Sequence, residues 1–86
     1  MTTSNMHVGN TWIQVAADID TPVLITWDDP VELEIAATAT NTQPTITGHK
    51  VNREEAITRY AIGDGFLWMR TPKGYAGGNV LVVVSK

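Results

Sequence analysis

The stretch Val31-Glu32-Leu33-Glu34-Ile35-Ala36-Ala37-Thr38 decides the fold class of this chain. Val31, Leu33, Ile35 and Ala37 fall on one side of a period of two, and Glu32, Glu34 and Thr38 on the other. Successive side chains of an extended chain point to opposite faces, so this pattern predicts an antiparallel strand with one buried face.

The same reading extends outward in both directions. Trp12 to Ala17 predicts a first strand with Ile13, Val15 and Ala17 inward. Val23 to Trp27 is short and apolar enough to be buried on both faces. Phe66 to Thr71 places Phe66, Trp68 and Arg70 on one face and Leu67, Met69 and Thr71 on the other. Whether Arg70 pairs with an acidic group or lies at an edge stays open. Ile57 to Ile62 and Val80 to Ser85 are further strands. Gly48, ahead of His49-Lys50-Val51, implies a bulge or a close backbone approach. Asn52 followed by Glu55 loosely fits a capping box, which allows at most one helical turn.

Turn residues punctuate these runs at Asp18-Ile19-Asp20-Thr21-Pro22 and Asp28-Asp29-Pro30. Gly63-Asp64-Gly65 has the form of a hairpin turn, and Pro72 to Asn79 forms a glycine-rich loop. About seven short strands at roughly ten-residue spacing make the expected fold all-β, a small antiparallel sandwich or barrel. Trp27, Leu33, Ile35, Phe66 and Trp68 are its expected core anchors, since a small sandwich needs large side chains to fill it. Residues 1–11 read as a polar arm and residues 12–86 as a single β-domain. On that reading, removing residues 1–10 leaves the domain folded.

The chain has 86 residues, no cysteine and a formal net charge of −3. Disulfide frameworks and thiolate metal sites are excluded. Stability has to come from apolar burial, within the domain or against other subunits. Lys50 and Arg53 are near in sequence, but Arg59, Arg70, Lys73 and Lys86 are scattered. That disfavours nucleic-acid binding, which needs a concentrated positive face. The segment before Trp12 lacks the basic start and apolar middle of a signal peptide, and Val80 to Val84 is too short to cross a bilayer. A low-charge surface rich in Thr, Asn and Ala suits packing against other protein, and equally suits an ordinary β-domain.

Residue types that could carry chemistry are present but sparse. Asp18, Asp20, Asp28 and Asp29 could supply oxygens to calcium, yet their spacing is not that of an EF-hand, and turn preference accounts for them. His49 with Glu54 and Glu55 offers a base and two carboxylates, without a cysteine, a nucleophile elbow or a zinc helix to complete a set. The glycine-rich stretches precede no helix and therefore lack the dipole that anchors phosphate. The expectation is a protein that is not an enzyme and takes no metal or cofactor. Among the aromatic residues, Tyr75 in its glycine-rich loop is expected to be exposed, as a partner anchor or a sugar-stacking platform.

The second half, from Ile46-Thr47-Gly48-His49-Lys50-Val51 through Glu54-Glu55-Ala56-Ile57-Thr58 and Gly65-Phe66-Leu67-Trp68-Met69-Arg70-Thr71 to Val80-Leu81-Val82-Val83-Val84-Ser85, resembles small structural virion proteins of tailed bacteriophages. Shared with that group are a Gly-His segment, an acidic loop, a Gly-x-x-Trp-x-Arg strand and a closing valine-rich strand, though the loop from Gly74 to Gly78 is longer. The resemblance implies a capsid decoration or cement protein. Such a protein is made in the host cytoplasm and resides in the virion on the capsid surface or an attached appendage. Its implied partners are the major capsid protein or another virion protein, with no nucleic acid and no membrane. A homo-oligomer is expected, with a trimer as the guess. Thr3, Ser4, Asn5, Met6, His7 and Val8 of the arm, with Tyr75, are the expected partner-binding residues. The alternative is a head-fibre or tail-associated module that binds host-surface carbohydrate.

Overall fold

The computed structural model of the chain describes residues 2–17, 23–53, 58–60 and 65–86, with only the backbone for residues 58–60. The described residues form eight strands and no helix: β1 (Thr3–Val8), β2 (Ile13–Ala17), β3 (Val23–Trp27), β4 (Leu33–Thr38), β5 (His49–Val51), β6 (Thr58–Tyr60), β7 (Phe66–Arg70) and β8 (Val80–Ser85). One sheet has the order β1-β8-β3-β6 and the other β2-β7-β4-β5, and every pairing is antiparallel. The expected all-β sandwich is therefore the observed one.

The strand order has a simple rule. β1 pairs with β8, β2 with β7, β3 with β6 and β4 with β5, so the numbers in each pair add to nine. A chain folded in half into one long ribbon and then rolled over itself gives this order, which is the eight-stranded jelly roll. Short connections at residues 9–12 and 28–32 carry the chain from β1 to β2 and from β3 to β4. They set those strands over each other, so the β1 and β2 edges share one side of the sandwich and the β5 and β6 edges the opposite side.

Alternation fills the space between the sheets. Val80, Val82 and Val84 of β8, Val23, Ile25 and Trp27 of β3, Leu33 and Ile35 of β4, Leu67 and Met69 of β7, and Val8 of β1 form one buried cluster. Trp27 keeps its indole N–H satisfied by donating to the Val31 carbonyl at 3.1 Å. β2 departs from strict alternation because its register against β7 slips between Gln14 and Ala16. That bulge turns both Val15 and Ala16 inward and leaves Ala17 exposed, where a regular strand would have buried Ala17.

The expected polar arm is largely a strand. Residues 3–8 pair with β8 along their whole length, from Thr3 opposite Ser85 to Val8 opposite Val80. Thr2 and Lys86 extend the ladder by exchanging both backbone hydrogen bonds. The segment's hydrophilic composition hid this, because only Val8 is buried and Met6 half-buried. Thr3, Asn5 and His7 lie on the outer face while the strand's peptide groups complete the sheet.

β6 and β7, the strands on either side of the expected hairpin turn Gly63-Asp64-Gly65, belong to different sheets and do not pair with each other. Residues 61–64 of that turn lie outside the described residues, as do Asp18, Asp20, Glu54, Glu55 and most of the expected helical turn.

Candidate assembly surfaces

Two expected core anchors sit on an outer face. Phe66 and Trp68 point away from the inter-sheet core, as their alternation requires. Trp68 joins Trp12 and Ala36 in a second buried cluster against which Phe66 packs. Trp27, Leu33 and Ile35 lie in the main core as expected.

Around this second cluster the outer face of the β2-β7-β4-β5 sheet is closed by a polar network. Trp68 donates its indole N–H to Thr38 Oγ1 at 2.9 Å, and Thr38 donates to the Thr40 carbonyl. Arg70 Nε donates to Glu34 Oε2 at 2.8 Å, and its guanidinium stacks 4.2 Å from the Trp12 ring centroid. Gly48 N–H donates to Glu34 Oε1 at 3.1 Å.

Glu34, which alternation assigns to solvent, is 3% exposed. The hydrogen bond from Arg70 holds its carboxyl below the ordinary glutamate range, helped by the Gly48 N–H and opposed by burial. Arg70 is thus the partner of a buried acid. Gly48 is a close approach: a Cβ there would meet the Ile35 carbonyl oxygen at 2.6 Å and the Trp12 ring at 2.9 Å.

Tyr75 is not the exposed loop residue that its glycine-rich setting suggests. It is half-buried against the main core, and its hydroxyl lies 3.4 Å from Asp29 Oδ2. Burial and the Asp29 carboxylate both push its pKa up. Its N–H donates to the Pro72 carbonyl at 3.0 Å, closing a turn in which Gly74 takes a φ of 88°, as the third position of a type II turn demands. A side chain at Gly77 would collide with the Tyr75 hydroxyl. Asp29 Oδ1 accepts the Val31 N–H at 3.1 Å, so this carboxylate serves the turn that expectation assigned it.

His49 is exposed on β5. Among the described residues no three His, Cys, Asp or Glu side chains gather as metal ligands, and no helix is long and apolar enough to cross a membrane.

The sheet edges differ in how they are guarded. Natural sheets protect edges with short strands, charges, prolines or bulges. β2 carries its bulge. β5 has three residues, two of them the exposed His49 and Lys50, and β6 has three, including Arg59. β1 has six residues in unbroken register, without Lys, Arg, Asp, Glu or Pro.

On the opposite side, Ile46, 67% exposed, borders a groove of about 350 Å³ shared with Ala36, Ala37, Gly48, His49 and Leu67. A second groove of about 470 Å³ runs over Thr26, Asp28, Asp29, Asn79, Leu81 and Val83. The expected binding residues Thr3 to Val8 are therefore gathered on one strand edge, and Tyr75 is separate from them. The edge becomes visible only once β1 is known to pair with β8.

Comparison with protein-family models, with curated proteins and with solved structures found no match.

Proposed function

We propose that this chain is a structural virion protein of a tailed phage, decorating or cementing a capsid by docking onto neighbouring virion subunits through its strand edges. The observation that carries the reading is the β1 edge, a six-residue strand free of ordinary edge protection. An open edge invites strand addition, in which main-chain hydrogen bonds supply affinity and alternate side chains supply register. A sandwich with an unguarded edge on one side and an apolar groove at Ile46 on the other has the two attachment sides that a bridging element needs. Repetition over a particle then strengthens weak contacts without new chemistry.

The jelly-roll order adds support by analogy, since viral capsid domains use it. Lectins and cupins share it too, so the fold alone does not choose among them. The carbohydrate alternative is poorly served by the aromatic residues. Trp12, Trp27 and Trp68 are all buried, and Tyr75 is half-buried against the main core, with its hydroxyl near Asp29 and its ring close to Gly77.

The test is co-sedimentation of the purified chain with phage shells. Stoichiometric binding supports the proposal. Adsorption to host cells or glycans, with no shell binding, overturns it.

A further inference from the structure

Which atoms of β1 face the open edge follows from its ladder. Thr2 and Lys86 exchange both backbone hydrogen bonds, at 2.7 and 3.0 Å. Residues along an antiparallel strand alternate between pointing their peptide groups at the partner and away from it. Ser4, Met6 and Val8 therefore bond to Val84, Val82 and Val80, and Thr3, Asn5 and His7 present N–H and C=O to the outside.

We infer that the occupant of this edge is a second copy of the chain. It runs antiparallel about a two-fold axis through Asn5, so that the two β1-β8-β3-β6 sheets become one. The inference rests on the proposed assembly role and names the first partner within it, leaving the β5 side and its groove for the shell.

Three features favour a self-pair. About such an axis Thr3 faces His7 of the other copy and Asn5 faces Asn5, and all three outward residues exchange both of their backbone bonds. No other register centred on the strand uses all three. On the inward face Met6 meets Ser4 of the other copy, which covers a half-buried methionine at the open side of the core. The chain carries a net charge of −3, yet β1 has no acidic or Lys/Arg side chain, so no like charges oppose one another along the seam. An isologous contact of this kind closes on itself and ends at a dimer. A strand of this length spans only about 20 Å, below the usual extent of a permanent interface, so the pair is reversible and concentration-dependent.

The absence of native cysteine gives a clean test. A directly opposed bonded pair has Cα atoms about 5.5 Å apart, within disulfide reach. Asn5→Cys should cross-link to a disulfide dimer on mild oxidation, at least tenfold faster than His7→Cys, whose two copies lie four residues apart. Sedimentation equilibrium of the native chain should show a monomer–dimer equilibrium, and Asn5→Pro should abolish it without changing the circular dichroism spectrum. Equal cross-linking of both cysteine variants, preferential cross-linking of His7→Cys, or a native chain monomeric at millimolar concentration overturns the inference. The two readings fail separately: a monomer that still decorates shells sinks only the pairing, and a cross-linkable dimer that ignores shells sinks only the assembly role.

Discussion

Glu34 is where burial and charge meet most sharply. Its carboxylate is taken from water and returned three polar contacts, from Arg70 Nε, from Arg70 Nη2 and from Gly48 N–H. Removing one member of such a pair leaves the other uncompensated, and that is where the cost arises. Because Arg70 keeps a 27% exposed side chain, Glu34→Gln should cost about 2 kcal/mol, measured by urea denaturation at neutral pH. The pH dependence has a definite sign. The folded-state pKa is lowered, so the pair's contribution is fully present above the unfolded glutamate value. It is lost as pH falls through the folded value. The gap between native and Glu34→Gln midpoints should therefore close on acidification; a gap that persists to the lowest pH at which the domain folds would show that ionisation is irrelevant there. Trp68→Ala should cost about 3–5 kcal/mol, although the ring sits outside the inter-sheet core. It is 7% exposed, and its loss also removes the indole donor to Thr38 Oγ1.

At the level of strands, what the sequence made legible and what it hid divide along physical lines. Alternation in Val31 to Thr38 placed Leu33 and Ile35 correctly, because regular strands obey a period of two. In Phe66 to Arg70 it separated the two faces, but the expected core face was that of Phe66 and Trp68, whereas Leu67 and Met69 fill the core. It could not say that the opposite face of β7 would also be covered, since the cover comes from Trp12, distant in sequence. It missed the exchange of Ala17 for Ala16, because a bulge leaves no mark in composition. It missed β1 altogether. Edge strands bury few side chains, so Thr3 to His7 look like a tail while their backbone completes a sheet. That correction changes what truncation does. Deleting residues 1–8 removes Val8, worth about 1.5–3 kcal/mol by burial alone, and uncovers the apolar β8 strand. The truncated chain should lose well over 3 kcal/mol or fail to fold, as thermal denaturation would read. Gly48→Ala should likewise destabilise by about 1–3 kcal/mol, because the atoms its Cβ would meet include the β4 backbone, which cannot step aside.

Across the whole molecule, the rule that pairs each strand with its mirror in chain order makes the two ends of the sequence meet. Thr3 Oγ1 and Ser85 Oγ lie 2.8 Å apart, and the ladder between β1 and β8 can form only when nearly the entire chain has been drawn into a loop. Bringing such distant residues together costs entropy that local structure cannot offset in advance. The domain therefore owes much of its marginal stability to contacts that the unfolded chain rarely samples. A covalent link at this point should act on the unfolded state more than on the native one. Thr3 and Ser85 occupy a pair that does not exchange backbone bonds, because Thr2 and Lys86 beside it do. Their Cα separation should be about 4.5 Å, within disulfide range. Replacing both with cysteine in a chain that has none should give a quantitative intramolecular disulfide. By the chain-entropy relation a loop of this length contributes about 4.5 kcal/mol. The difference in urea midpoint between oxidised and reduced forms measures it directly. A gain near that size would show that the link acts through the closure entropy of the unfolded chain, whereas no gain would mean that β1 and β8 already associate in the unfolded ensemble.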